Sequence, residues 1–232
     1  MNFRNSLQYF LVKNLKISHQ SAQAMIANGE LAINGETCRE NCYLGPYLHI
    51  VYGDQVLQDP GNYSYFLLHK PKGIECTLNP EVSNNLISLL PEPNLFYAGR
   101  LDKNSEGLVL LTNDGHVYNK IIDPNKKIEK TYEVMLEKPY TPAFLEEMES
   151  GVSILGTKTL PCQIEAIDAL NFRIILTQGL NRQIRRMCFA LGNYVLSLKR
   201  TKIGILELGP LELGKLRPLT KIEIDWLRNL PL

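Results

Sequence analysis

Apolar residues recur with a helical period at Leu7, Phe10, Leu11 and Leu15, which predicts a helix over residues 3–15. Ser18 is a suitable N-cap for a second helix through Ala22, Met25 and Ile26, stopped by Asn28-Gly29. Leu31-Ala32-Ile33 followed by Asn34-Gly35 reads as a strand entering a tight hairpin. Residues 47–51 alternate as a further strand, and Gly53-Asp54 turns after it. Asp59-Pro60-Gly61-Asn62 is the most linker-like stretch, so two domains are expected, residues 1–60 and 61–232.

Beyond that boundary the pattern mixes strands and helices. Residues 65–69 form an apolar strand that ends where Lys70-Pro71-Lys72-Gly73 forces a turn. A short, wholly apolar strand over 108–112 is closed by Asn113-Asp114-Gly115, and 131–136 and 171–177 read as strands. Thr141-Pro142 opens a helix ending near Gly151. Asn181 is expected to cap a helix running to Leu191 and stopping at Gly192, and Thr220 with Glu223 forms a capping box for the last helix. Long connections between strands and few helices give an α+β class on a mixed, mostly antiparallel sheet with flanking helices.

Composition narrows the class without naming a chemistry. With 232 residues, 44% of them hydrophobic and 21% charged, the chain can bury a core and is not a disordered polyelectrolyte. No apolar run is long enough for a membrane span and no leader pattern opens the chain. Five scattered cysteines, an odd number, suit a reducing compartment, so a cytoplasmic protein with no membrane partner is expected. The net charge of +1 hides an uneven distribution. Residues 1–60 hold four basic and five acidic groups, whereas residues 169–206 hold seven basic groups and no acid. Such a stretch suggests one anion-binding face, or a solvated helix face whose acidic partners lie elsewhere in the fold.

Several constellations could carry chemistry. Residues 209–215 have the Gly and Lys spacing of a phosphate-binding loop, but Leu216 stands where Ser or Thr is needed to hold Mg²⁺, and bulky residues fill the loop. Cys38, Cys42 and His49 lack a second pair to complete a zinc set. Arg182, Arg185 and Arg186, at i, i+3 and i+4 beside the apolar stripe of Ile184, Met187, Cys188 and Leu191, form a patch suited to phosphate or carboxylate. The loop from Gly99 to Gly107 packs Arg100, Asp102, Lys103 and Glu106 between two apolar strands. On residues alone it is either a surface salt-bridge loop or the carrier of a reactive carboxylate, Asp102.

Four motifs in order resolve that choice. They are Leu67-Leu68-His69-Lys70-Pro71-Lys72-Gly73; Gly99-Arg100-Leu101-Asp102 continuing through Gly107-Leu108-Val109-Leu110-Leu111-Thr112-Asn113-Asp114-Gly115; Lys130-Thr131-Tyr132-Glu133-Val134; and Gly179-Leu180-Asn181-Arg182-Gln183-Ile184-Arg185-Arg186-Met187. Leu198-Lys199-Arg200-Thr201-Lys202-Ile203-Gly204 continues the pattern. With these the chain resembles the RsuA/RluB/E/F-type ribosomal RNA pseudouridine synthase family, and Gly179 to Cys188 is similar to its RluF-like large-subunit branch. Residues 1–60 resemble the small S-four-type (alpha-L) RNA-binding module that precedes the catalytic domain in this family.

The resemblance implies an enzyme that isomerises one uridine in structured RNA to pseudouridine. Asp102 matches the family's essential aspartate, Arg100 the residue that enters the RNA helix as the nucleotide is flipped, and Tyr132 the aromatic that stacks on uracil. Arg185 matches the basic partner of the aspartate, Arg182 joins it in contacting phosphate, and Leu198 matches an apolar wall of the pocket. Because an isomerisation has no redox step, the resemblance implies no cofactor and no metal. The implied partner is RNA, ribosomal or else transfer RNA, with no DNA, and the chain is expected to act as a monomer. The alternatives are a non-catalytic RNA-binding or ribosome-assembly factor on the same fold, and a nucleotide hydrolase using residues 209–215. The chain departs from the family at the second helix, where Ser18-His19-Gln20-Ser21 replaces the usual adjacent arginines. The first module is therefore expected to contribute shape or protein contacts more than electrostatics.

Overall fold

Residues 6–231 are described by the structure, a computed structural model. The chain divides into two compact units, Met1–Asn62 and Tyr63–Leu232. In the first unit, α1 (Leu7–Leu15) starts at Ser6, whose hydroxyl accepts from the Tyr9 N–H; residues 3–5 of the expected helix lie outside the described residues. Ser18 caps α2 (His19–Asn28), and Gly29 ends it with a positive φ of 71°. Strands β1 (Leu31–Ile33), β2 (Glu36–Cys38), β3 (Ile50–Tyr52) and β4 (Gln55–Gln58) form an antiparallel sheet in the order β2-β1-β3-β4. Asn34 and Gly35, both at positive φ, make the tight β1–β2 turn. The strand expected over 47–51 is displaced to β3. The Gln58 side-chain amide donates to the Gly45 and Leu48 carbonyls, which holds that segment out of the ladder. Leu7, Leu11, Ala22, Ile26, Leu31 and Ile50 are the buried core of this unit.

The second unit is built on β5 (Tyr65–Lys70), β6 (Phe96–Ala98), β7 (Glu106–Thr112), β8 (Lys130–Leu136), β11 (Gln163–Ala166), β12 (Asn171–Leu176), β13 (Val195–Ile203), β14 (Leu206–Glu207) and β15 (Leu216–Pro218). These form one sheet in the order β11-β12-β8-β13-β7-β5-β15, with β6 paired to β7 and β14 to β13. Strands β9 (Ser153–Ile154) and β10 (Thr157–Lys158) make a separate hairpin. Only β13 and β7 run parallel among the described strands, so the sheet is mixed and mostly antiparallel. Helices α3 (Gly115–Ile122), α4 (Pro142–Ser150), α5 (Gln183–Ala190) and α6 (Lys221–Asn229) flank it.

Local chemistry explains the helix ends. Asp114, expected to close a turn, also caps α3 by accepting from the His116 and Val117 N–H groups. Thr141 caps α4 before Pro142, and the Thr220–Glu223 capping box opens α6. Asn181 does not cap α5. Arg182 occupies that position at a φ of 51° without a side-chain cap. The Asn181 carbonyl and side-chain oxygens instead accept from Arg186 Nε and an Arg186 terminal nitrogen.

Alternation along the strands sorts side chains onto two faces. On one, Tyr65, Leu67, Leu108 and Leu110 pack with Val117, Ile121 and Leu227 under α3 and α6. On the other, Val134, Leu136, Phe172 and Ile174 pack with α4 and α5, while Leu68, Val109 and Leu111 pack with Cys76, Leu86, Leu95 and Leu101. Tyr132 borders both clusters of that second face, which places it at the seam where the candidate site lies.

Candidate active site

The loop from Gly99 to Ser105 connects β6 to β7, and its carbonyls are held almost one by one. Arg200 donates to the Gly99, Arg100 and Leu108 carbonyls at 3.0, 3.3 and 2.8 Å. The Asp102 carbonyl accepts from the Ser105 N–H at 3.0 Å, and the Lys103 carbonyl from the Gly73 N–H at 2.8 Å. Arg185 donates to the Asn104 carbonyl at 2.9 Å and, with its other terminal nitrogen, to the Val195 carbonyl at 2.9 Å. The Leu101 N–H points to Cys76 Sγ at 3.3 Å. Lys70, wholly buried, donates from Nζ to the Pro71 and Ile74 carbonyls, bracing the neighbouring turn that carries Gly73. Gly107 makes the arrangement possible. At a φ of +120° its absent Cβ would stand 2.3 Å from the Arg200 carbonyl oxygen, so β7 and β13 could not approach with any larger residue.

Arg100, Asp102, Ser105, Tyr132, Arg182 and Leu198 line a single cavity of about 110 Å³, together with Gln183 and residues of the 176–180 segment. Five of the six residues singled out from the sequence therefore meet. The sixth, Arg185, stands behind the loop. It makes no direct ion pair with Asp102, because both of its terminal nitrogens hold backbone carbonyls. Charge still couples the two. Burial, then the neighbouring Arg182, pull the Arg185 guanidinium below its ordinary value, and Asp102 opposes them. Burial likewise lowers Lys70 and raises the Cys76 thiol, and it pulls Lys130 down to about 8 with help from Arg200.

Sequence reasoning missed Arg200, Lys70, Gln183 and Ser105. Arg200 and Lys70 lie in segments that carried the resemblance, yet an arginine or lysine reads as a surface group until its burial is known. Gln183, also buried, ties the segment before α5 by accepting from the Leu180 N–H and donating to the Gln178 side-chain carbonyl. Ser105 Oγ and Arg185 Nε are buried with no hydrogen-bond partner among the described residues, and Ser105 lines the same cavity as Asp102. The glycine-rich segment 209–215 is no phosphate cradle. The Gly214 N–H donates to the His69 carbonyl and the Lys215 N–H to the Glu212 carbonyl, and β15 follows where a phosphate-binding loop needs a helix. Among the described residues no set of three or more His, Cys, Asp or Glu converges as metal ligands, and no helix is long and apolar enough to cross a membrane.

The RNA pseudouridylate synthase family pattern matches residues 64–190, which hold the loop, Tyr132 and all of α5. The chain belongs to this family. Its sequence is 36% identical over 210 residues to the dual-specificity RNA pseudouridine synthase RluF of Escherichia coli K12, covering 89% of this chain and 72% of that protein. It is 34% identical over 225 residues to the ribosomal small subunit pseudouridine synthase A of the same strain, covering 94% and 97%. A crystal structure of a pseudouridylate synthase superposes with a TM-score of 0.68 at 33% identity, over 96% of this chain and 99% of that one. This family member is an RNA pseudouridine synthase on a mixed α/β fold.

Proposed function

We propose that this synthase isomerises a specific uridine of ribosomal RNA, with Asp102 as the reacting group and the target base flipped out of its helix. The observation that carries the reading is a single carboxylate, in a small cavity, on a loop whose carbonyls are fixed by Arg200, Arg185, Gly73 and Ser105. In the reaction the bond from the ribose to N1 of uracil breaks and one to C5 forms. The C5 proton leaves and N1 gains one, so no oxidant or co-reactant is consumed. A carboxylate fixed before substrate arrives need not reorganise as charge develops.

A base within a helix cannot present its glycosidic bond, so it must leave the stack, at a cost of a few kcal/mol. Arg100, which is exposed and lines the cavity, fills the space the base vacates. Stacking on Tyr132 is worth about 1–3 kcal/mol, enough to offset much of that cost. Leu198 supplies an apolar wall, Arg182 a phosphate contact, and Arg185 a positive potential at Asp102. Residues 1–60 act as an S-four-type module contributing shape more than charge, consistent with Ser18 rather than arginine at the start of α2.

Asp102→Asn tests the assignment. Product should fall below detection while affinity for the RNA stays within about twofold, and unchanged modification in cells would overturn it. The same result separates an enzyme from a binding factor. Mapping pseudouridines in RNA from cells lacking the gene identifies the position and decides between large-subunit, small-subunit and transfer RNA.

A further inference from the structure

Helix α5 buries one sector and leaves the other in water. Successive residues turn by about 100°, so Arg186 and Phe189 share the outward sector, opposite buried Ile184, Met187 and Cys188, while exposed Arg182 stands just before the helix and Arg185 turns in to the Asn104 and Val195 carbonyls. A phenyl ring one turn from Arg186 is not what a solvated helix face calls for. Phe189 is 61% exposed, and beside it Tyr194 is 53% exposed, with ring centroids 5.5 Å apart at an interplanar angle of 59°. Leu196, also exposed, extends the apolar surface along β13. Isolated surface hydrophobics need no explanation, but a contiguous ring pair does.

We propose that Phe189 and Tyr194 form a stacking platform for unpaired bases flanking the target uridine. The platform continues from the Asp102 cavity, since Arg182 and Gln183 line that cavity and Phe189 follows Gln183 by six residues, about 9 Å along the helix. Charge favours a nucleic acid over a protein: Arg182 and Arg186 make no ion pair with an acid among the described residues, and Arg186 stands one turn before Phe189, so that guanidinium and aromatic ring match the alternation of phosphates and bases. Stacking of this kind tolerates any base, so the platform adds affinity and orientation without reading sequence.

The inference rests on RNA being the substrate, and the probe is chosen to keep the two apart. The full chain is titrated with a hairpin RNA whose loop uridine has two unpaired adenosines on each side. A matched hairpin carries abasic sites at those adenosines. Phe189→Ala and Tyr194→Ala should each weaken binding to the first hairpin about fivefold to a hundredfold. They should leave binding to the abasic hairpin unchanged, raise KM, and leave kcat and the salt dependence as they were. Phe189→Trp should retain affinity and Phe189→Leu should not. Arg186→Ala, by contrast, should flatten the salt dependence by about one phosphate contact. Equal losses on both hairpins, or no loss on either, would overturn the platform. So would variants that change only self-association in sedimentation, which would make the patch an interface between copies. The function above fails on a separate result, unchanged modification in cells carrying Asp102→Asn, which does not depend on the platform.

Discussion

The two faces of the central sheet treat charge in opposite ways. On the open stretch of the face that also carries Leu67 and Leu108, Glu165, Arg173, Glu133, Lys199 and Glu106 stand in register across β11, β12, β8, β13 and β7, alternating in sign. Arg173 pairs with both Glu165 and Glu133, and Lys199 lies 3.8 Å from Glu106, which is 3.3 Å from His69 Nε2. One residue along β13, on the opposite face, Arg200 is buried with no acid partner among the described residues; with Arg185 it bonds backbone carbonyls of the Asp102 loop, and Lys70 bonds those of the neighbouring turn. The ladder cancels its own field, as cross-strand pairs do. The cations of the buried face shape a loop and keep their positive potential, which suits an anionic substrate. The same residue types thus serve the sheet on one face and the site on the other.

That contrast can be broken by substituting neighbours on β13. Arg200→Met strands the Gly99, Arg100 and Leu108 carbonyls and should cost about 3 kcal/mol or more in denaturant unfolding, with product formation lost. Lys199→Met, on the open stretch, should cost under about 1 kcal/mol. Equal losses would show that the faces do not differ. Between these extremes lies the Arg217–Glu223 pair, paired like the ladder but buried like the site. Two hydrogen bonds of 2.6 and 2.8 Å from Arg217, with help from Thr220, hold the Glu223 carboxyl at about 2 against an ordinary 4.5. The depressed value means its contribution is complete above about pH 4.5 and disappears as pH falls towards 2. Glu223→Gln should lower stability at neutral pH by about 2 kcal/mol and flatten the acid limb of a stability–pH curve. Lys130, held at about 8 by burial, should instead make stability rise between pH 8 and 10.5, a slope that Lys130→Met removes. Smallest is Ser105→Ala, which removes an unpartnered buried hydroxyl and should leave unfolding free energy unchanged or raised by under about 1 kcal/mol.

Signals are legible in the sequence where their chemistry is local. Ser18, Thr141 and Thr220 cap the helices that follow them, and Asn34-Gly35 makes its hairpin, all as expected. Expectation and structure part where distant partners intervene. Asn181 loses the capping position because its oxygens are taken by Arg186, and residue 47 lies in a turn while the Leu48 carbonyl accepts from the Gln58 amide instead of a strand partner. For the site, the motifs point to Arg100, Asp102, Tyr132, Arg182 and Leu198, which do converge on one cavity. Arg185 is expected as the basic partner of Asp102; its terminal nitrogens hold the Asn104 and Val195 carbonyls, and Asp102 acts on it through charge.

What the sequence determined by itself was the order of the motifs, the caps and turns, and the family to which they belong. Those depend on residues near one another in the chain or on a pattern spread along it. Only the tertiary structure decided which cations are buried. Lys199 and Arg200 are adjacent basic residues in the string, and nothing in that adjacency separates an accessible cation from a buried one. The pleat sends them to opposite faces, one to the open charge ladder and one to the carbonyls around Asp102.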